Sequence, residues 1–554
     1  MPNLPSSHDD LRGPDDAAAN PASNSAPNPA ASAAADASAL TTPAEIGLES
    51  PRVTERNSEA AMPRREFLMA GVGAGAAFAL GCATVPQATG TVARGIEPNR
   101  RGGNGVGHVV VIGAGIWGSW TAYHLRKRGA RVTLIDIYGP GNSRSTSGDE
   151  TRGIRSSYGD RTTVDHWTAW ARTSIARWQQ FDDEYAKDFH TKFFHKTGDV
   201  IMRAADEPFL RNTLTAWKAQ GVPHEVMNGD EVRKRWPMIK ADDITIALYE
   251  PDAGVVRARH ATQAVAAAAQ MHGVKFVLGR VRPGQVSGGK LQSVLLEDGT
   301  AIRGDSYVFA CGPWLRKLFP ELLMNRMRVP IGYVCYFGTP LHDHRFTFPN
   351  LPSYNFPGVT GWPSLPVDMR GFRVRGALAA PSTTTAAAAT PPAAAAAGAA
   401  ATAAAPVPPA AVTPSGAPAA APGGGAAAAS TAPRAQTPVA AADPLQSDPD
   451  TSTRWSSQER IDGSRRFLEA RFPALAKAPI LETRACHYES SINRDFIIDT
   501  LPNIANAWIA GVGQAEGFKF GPVVGEYVAQ RVLGIEGDPK LVTAFKMPTE
   551  QYET

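Results

Sequence analysis

The stretch His108-Val109-Val110-Val111-Ile112-Gly113-Ala114-Gly115-Ile116-Trp117-Gly118 constrains this chain more than any other. An apolar run of strand length leads directly into a G-x-G-x-x-G turn. Residues 119–128 follow, with Trp120, Tyr123, His124 and Leu125 at helical spacing, and Gly129 ends the helix. Residues 131–135 predict a second strand that closes on Asp136. Strand, glycine turn, helix, strand and acid in this order predict a βαβ unit. Its glycines allow a tight turn and close approach of the backbone to a pyrophosphate at a helix amino terminus, and Asp136 is placed to bind ribose hydroxyls. Gly113, Gly115, Gly118 and Asp136 are therefore the candidate nucleotide-binding residues. The fingerprint alone does not separate FAD from NAD.

Composition bounds the remainder. Residues 1–61 are rich in Ala, Asp, Pro, Ser and Asn, and 377–446 consist mostly of Ala, Pro, Thr and Gly. Neither stretch carries enough apolar side chain to offset chain entropy, so both are expected to be disordered. The globular part then lies in 106–376 and 447–540, and 377–446 is an insertion. With 56 basic and 52 acidic residues the formal charge is only +4, which offers no basis for binding nucleic acid. The four cysteines, Cys82, Cys311, Cys335 and Cys486, are too scattered for a disulfide framework, and no metal-ligand spacing occurs. Cys311 and Cys335 fall in predicted core strands and read as packing residues.

Pro63-Arg64-Arg65-Glu66-Phe67-Leu68 heads a weakly apolar run that ends at Cys82. It resembles a twin-arginine signal peptide spanning 62–84, which implies a translocase partner and an exported, periplasmic or cell-envelope location. The run is too short and glycine-rich for a membrane span, which needs about 20 apolar residues. Ala79-Leu80-Gly81-Cys82 approximates a lipoprotein box, so a lipid anchor at Cys82 stays open. Cytoplasmic residence is the alternative, and Met62 is an alternative start.

Further motifs follow in a fixed order. Thr151-Arg152-x-Ile154-Arg155-x-x-Tyr158-Gly159 precedes His195-Lys196-Thr197-Gly198. Then come Phe309-Ala310-Cys311-Gly312-Pro313-Trp314, Asp448-Pro449-Asp450-Thr451, Arg484-Ala485-Cys486-His487-Tyr488 and Gly517-Phe518-Lys519-Phe520. Together these segments resemble the FAD-dependent D-amino-acid-oxidase superfamily, and most closely its sarcosine oxidase and N-methyltryptophan oxidase branch. The resemblance implies an α/β (α+β overall) fold in which a Rossmann-type FAD-binding domain (106–160, 250–325 and 484–540) interleaves with an antiparallel-sheet substrate domain (161–249, 326–376 and 447–483). It implies FAD as cofactor, bordered by Thr151, Arg152, Gly312, Gly517, Phe518 and Lys519 and joined to Cys486 through a thioether. Arg155 and Lys519 match the pair that holds the substrate carboxylate. A guanidinium offers a two-pronged grip and an ammonium adds a point charge. Arg152 matches an arginine near the flavin, and Tyr488 a tyrosine on its substrate side.

Three departures from the family pattern bear on substrate and acceptor. Arg373 stands where the oxidases carry a lysine that promotes reaction with dioxygen, with Arg370 or Arg375 as alternative counterparts. Glu516 replaces a histidine. Val359-Thr360, before a Gly361-Trp362-Pro363 turn, replaces paired tyrosines. The expected activity is oxidation of the C–N bond of an amino acid, an N-substituted one, with electrons passed to dioxygen. The alternatives are a dehydrogenase using another acceptor, or an exported flavin-retaining binding protein without turnover.

Overall fold

The computed structural model describes residues 107–161, 163–379 and 447–552. The expectations for the leader 1–61, the signal 62–84, Cys82 and nearly all of the insertion (380–446) lie outside the described residues.

Two sheets carry the site. The first has six strands in the order Ile497–Leu501, Ile504–Gly511, Ser306–Phe309, β1 (His108–Ile112), β2 (Arg131–Asp136), Lys275–Leu278. All neighbours are parallel except Ile497–Leu501, which runs antiparallel to Ile504–Gly511. Every residue of β1 is buried, as a central parallel strand covered on both faces requires. Helix α1 (Ile116–Lys127) starts three residues before the position read from periodicity, because Gly115 already serves as its N-cap. Trp120 of α1 meets Trp178 and Phe181 of the long helix Val164–Tyr185 edge to face at 5.5 and 5.2 Å. Trp178 is wholly buried, and its loss would cost about 3–5 kcal/mol.

The second sheet has eight strands in the order Ile480–His487, Ile331–Phe337, Phe372–Arg375, Val359–Trp362, Ser353–Phe356, Asp199–Arg203, Ile246–Glu250, Glu225–Met227. In chain order we label four of them β3 (Ile331–Phe337), β4 (Val359–Trp362), β5 (Phe372–Arg375) and β6 (Ile480–His487). Strand alternation divides their side chains between two environments. Cys335, Phe337, Phe372 and Val374 enter an apolar core where Tyr354 stacks on Phe372 at 5.4 Å and on Phe467 at 5.7 Å. Val334, Thr360, Trp362, Arg373, Arg375 and Cys486 line a cavity. A one-residue slip would exchange these sets, so the register is strongly specified.

Several expectations need correction. Gly361 and Trp362 lie within β4, not in a turn. The β-branched Val359 and Thr360 and the aromatic Trp362 suit a strand, and the turn falls earlier, at Gly358 with φ 72°. Cys311 lies beyond the end of its strand, Ser306–Phe309, and borders the cavity while packing against the core beneath it; Cys335 is a buried strand residue. Residues 484–487 belong to β6 of the eight-stranded sheet rather than opening the nucleotide-binding part. Helix Val164–Tyr185, expected with the substrate part, packs into the core of the six-stranded sheet.

Candidate active site

At the carboxyl end of β1 the chain turns through Gly113 at φ +100°, where a Cβ would lie 2.3 Å from the Ala310 carbonyl oxygen. A Cβ on Gly118 would lie 1.8 Å from the Gly113 carbonyl oxygen, so helix and turn can meet only through glycine. At Gly115 the nearest atom would be Ser147 Oγ at 3.5 Å, which leaves room beside the start of α1. Ser147 Oγ accepts from the Ile116 N–H at 3.0 Å. Asp136 organises this turn, accepting from the N–H groups of Ala114 (2.7 Å), Tyr138 and Gly139 (both 2.8 Å). Burial pushes its carboxyl up in pKa against the pull of those three donors. A carboxylate has about four acceptor sites, so one remains for a sugar hydroxyl.

A continuous cavity of about 470 Å³ runs from Gly113, Gly115 and Asp136 to Arg155, Cys486 and Lys519. One continuous space bordered by the glycine turn and Asp136 and also by Arg155, Cys486 and Lys519 suits FAD. Its nucleotide wall includes Tyr138, Trp314 and Lys317, all held by Asp450, whose role the sequence did not reveal. Asp450 accepts from Trp314 Nε1 (2.8 Å), Tyr138 Oη (3.1 Å) and Lys317 Nζ (2.6 Å). Burial opposes ionisation of Asp450, but Lys317 and Trp314 outweigh it and hold the carboxyl at about 2.

Arg155 is positioned by its neighbour. Ser156 donates through N and Oγ to Glu250 at 2.9 and 2.5 Å, and its carbonyl accepts from Thr168 and Trp217. The Arg155 side chain lines the cavity and has no hydrogen bond or ion pair among the described residues. Burial works against its charge, but Asp199 and Glu516 nearby more than compensate. Asp199 is itself buried, with Oδ2 lacking a hydrogen-bond partner, and burial raises its pKa against the effect of Arg155 and Lys519.

Lys519 comes from the far end of the chain. The segment before it adopts left-handed backbone at Val512, Gln514 and Ala515, with φ 62°, 55° and 60°. Such geometry persists only where the surroundings over-determine it. The Gln514 amide supplies that restraint, donating to Ser491 Oγ at 2.6 Å, Asp495 O at 2.7 Å and Val512 O at 3.2 Å. Trp117 Nε1 then donates to Gly517 O at 2.7 Å, Phe518 stacks on Trp178 at 6.0 Å, and Phe520 meets Trp167 edge to face at 5.1 Å. Pinned on both sides, Lys519 donates to Glu516 at 2.7 Å and lies 5.1 Å from the Tyr158 ring centre. Burial lowers its pKa to about 8, with Glu516 opposing and Arg155 adding to the fall. Burial would raise Glu516, but Lys519, Arg155 and Arg161 (3.8 Å away) hold it well below the usual carboxylate range.

A buried anion, Asp149, holds Arg152 and Arg373. It pairs with Arg152, accepts from Arg373 Nη2 at 3.2 Å and from Tyr336 Oη at 3.0 Å. Arg152 also donates to Thr146 O at 2.9 Å and to Cys486 Sγ at 3.2 Å. Arg373 is 1% exposed and stacks 3.8 Å over Trp362, with Nε and Nη1 unpartnered. Burial lowers its pKa and Tyr336 opposes. Gly312, Tyr488, Glu516, Gly517 and Phe518 also border the cavity. Thr151 does not: its Oγ1 is taken by Trp362 Nε1 at 2.8 Å and contacts Tyr336 Oη at 3.3 Å, within the wall behind Arg152. Arg375, named from the sequence only as an alternative counterpart to Arg373, lines the cavity, and so does Glu489, which the sequence did not reveal. The signal for Arg375 was present, since it sits two residues from Arg373 on one strand.

Comparison with known proteins agrees with this arrangement. A family model described as DAO, FAD dependent oxidoreductase, matches residues 108–531. Monomeric sarcosine oxidase of Bacillus sp. (strain B-0618) is 25% identical over 440 residues, covering 77% of this chain and 92% of that protein. N-methyl-L-tryptophan oxidase of Citrobacter koseri is 24% identical over 426 residues, covering 77% and 94%. Among solved structures, the deglycating fructosamine oxidase of Aspergillus fumigatus (Amadoriase II) matches with a TM-score of 0.59 at 18% identity, over 80% of this chain and 89% of that one.

Proposed function

This chain belongs to the DAO family of FAD-dependent oxidoreductases, and from that premise we propose that it oxidises an N-substituted amino acid and hands the electrons to dioxygen. Its class is an FAD-dependent oxidoreductase of the sarcosine oxidase type, acting on CH–NH groups of small amines or amino acids. The observation that carries the finer reading is Arg155, a cation without an ion-pair partner among the described residues, in the same cavity as Lys519. Two cations in one cavity favour a carboxylate, and the two relatives named above are oxidases whose names specify N-methylated amino acids.

When bound, FAD supplies the two-electron acceptor for the substrate C–H bond. The protein contributes position and charge. Arg155 grips the carboxylate through two N–H groups, and Lys519 adds a second cation while Glu516 holds its ammonium in place. Tyr488 and Thr360 border the space left for the amine substituent. Cys486, open to the cavity and touched by Arg152, is the residue that would carry the cofactor covalently. Gly113, Gly115, Gly118, Asp136 and Gly312 would hold the nucleotide, with Arg152, Gly517 and Phe518 nearer the ring.

One observation favours a second reading, a dehydrogenase with another acceptor. Arg373 stands where an oxygen-promoting lysine is expected, yet its charge is committed to Asp149. Turnover measured with dioxygen and with an artificial acceptor tests the choice. Faster turnover with oxygen, with stoichiometric peroxide, supports the oxidase; negligible oxygen consumption beside brisk dye reduction refutes it. Export is part of the same proposal, resting on the twin arginines Arg64-Arg65 ahead of the apolar run. A mature amino terminus found upstream of 62 in the native protein would refute it.

A further inference from the structure

Arg375 is a second unpaired guanidinium in this cavity. Alternation along β5 puts it on the same face as Arg373, and the register pairs it with Thr360 on one side and Val334 on the other, both of which line the cavity. Unlike Arg373, it makes no hydrogen bond or ion pair among the described residues. Its electrostatic neighbours are Arg373, Glu516, Tyr488 and Arg155, which places it at the substrate end rather than the nucleotide end. Glu516 is the leading negative charge acting on it but makes no ion pair with it, and that carboxylate is shared with Lys519 at 2.7 Å and Arg161 at 3.8 Å. Asp199 and Glu250 are buried around Arg155, and burial favours their protonated forms.

One substrate carboxylate satisfies the pair Arg155 and Lys519. Arg375 is exposed in the open cavity, and a substrate whose neutral side chain covered it would strip the guanidinium of water without supplying a counter-charge of its own, which is costly. We propose that Arg375 receives a second acidic group, so that the preferred substrates are N-substituted amino dicarboxylates. This rests on the amino-acid oxidation proposed above and narrows it. Arg375 acts as a specificity residue: its planar fork discriminates an acid from its isosteric amide, the two differing only in charge and donor pattern.

The test uses the holoenzyme and two isosteric pairs, N-methylaspartate against N-methylasparagine and N-methylglutamate against N-methylglutamine. Anaerobic stopped-flow reduction of the flavin gives kred/Kd for each. The acid of at least one pair should exceed its amide by about 10- to 100-fold, the range expected for one charge-assisted two-pronged contact. In Arg375→Gln that ratio should fall to within about 3-fold, and Arg375→Lys, which keeps the charge but not the fork, should fall between. Flavin content and absorbance of each variant report folding, and Arg375→Lys carries the test if Arg375→Gln fails to hold FAD. A wild-type ratio near one for both pairs overturns the assignment. So does a ratio unchanged in the variants, including the case where Arg375→Gln slows only reoxidation by dioxygen. Bleaching by amino acids without this discrimination defeats the role of Arg375 alone. The absence of bleaching by any amino acid defeats the underlying reading as well.

Discussion

Replacing Arg155 by alanine should weaken substrate capture severely while leaving the protein folded and yellow. Arg155 has no hydrogen-bond or ion-pair partner among the described residues, so truncation orphans no group bonded to it. What is lost is a two-pronged contact to the substrate carboxylate in a sheltered cavity, worth about 2–4 kcal/mol or about 30- to 1000-fold in Kd. The fold feels the change chiefly through Asp199, whose buried carboxyl loses its leading opposing cation and shifts further upward. Above its ordinary value of 3.8 the folded state then keeps a proton that the unfolded state has released, so this group makes stability fall as pH rises. The cost should stay within that of an ordinary point substitution, about 1 kcal/mol, a drop of no more than about 4 °C in Tm. Anaerobic flavin titration measures the affinity, and thermal unfolding followed by flavin fluorescence measures the stability. A large fall in Tm with unchanged Kd would show Arg155 to be a structural ion-pair residue and refute the clamp.

The contrasting variant is Arg373→Ala, which removes one partner of a buried pair with Asp149; unfolding in urea should show a loss of about 3 kcal/mol or more, and a loss below about 1 kcal/mol would contradict the buried-pair description. Lys519 loses its charge as pH rises through about 8, so KM for carboxylate substrates should climb above that pH by up to about tenfold per unit; Lys519→Met should flatten the profile, and an unchanged profile in that variant would assign the titration elsewhere. Acid precipitation of the native protein should give a yellow pellet, and Cys486→Ser a colourless pellet under a yellow supernatant; equal behaviour of the two would exclude covalent attachment at Cys486.

The nucleotide end was legible because its determinants are local. Four apolar residues of β1, three glycines and Asp136 fall within one βαβ unit, where Gly113 and Gly118 have steric reasons to be there and Asp136 a hydrogen-bonding one. Arg155 and Lys519 were legible only through the family resemblance, since nothing local in either segment announces that they share a cavity. The rest depends on contacts between distant segments. Asp149 was not noticed because its partners Arg373 and Tyr336 arrive from strands far along the chain. Arg375 is legible in the sequence only as an alternative counterpart to Arg373, because its facing follows from the strand register and not from composition. The left-handed run around Gln514 was unreadable for another reason: Val512 and Ala515 are residue types that ordinarily avoid that conformation, and the Gln514 side chain that enforces it bonds to Ser491 and Asp495.

The most direct measurement adds an N-methyl amino acid, without oxygen, to the purified flavoprotein, beside the same amine lacking its carboxylate. The flavin absorbance near the visible maximum should bleach with the amino acid and barely change with the bare amine. Equal bleaching by both would show that no cationic clamp selects the substrate, and bleaching by neither, across a broad set of N-substituted amino acids, would show that this cavity does not oxidise them.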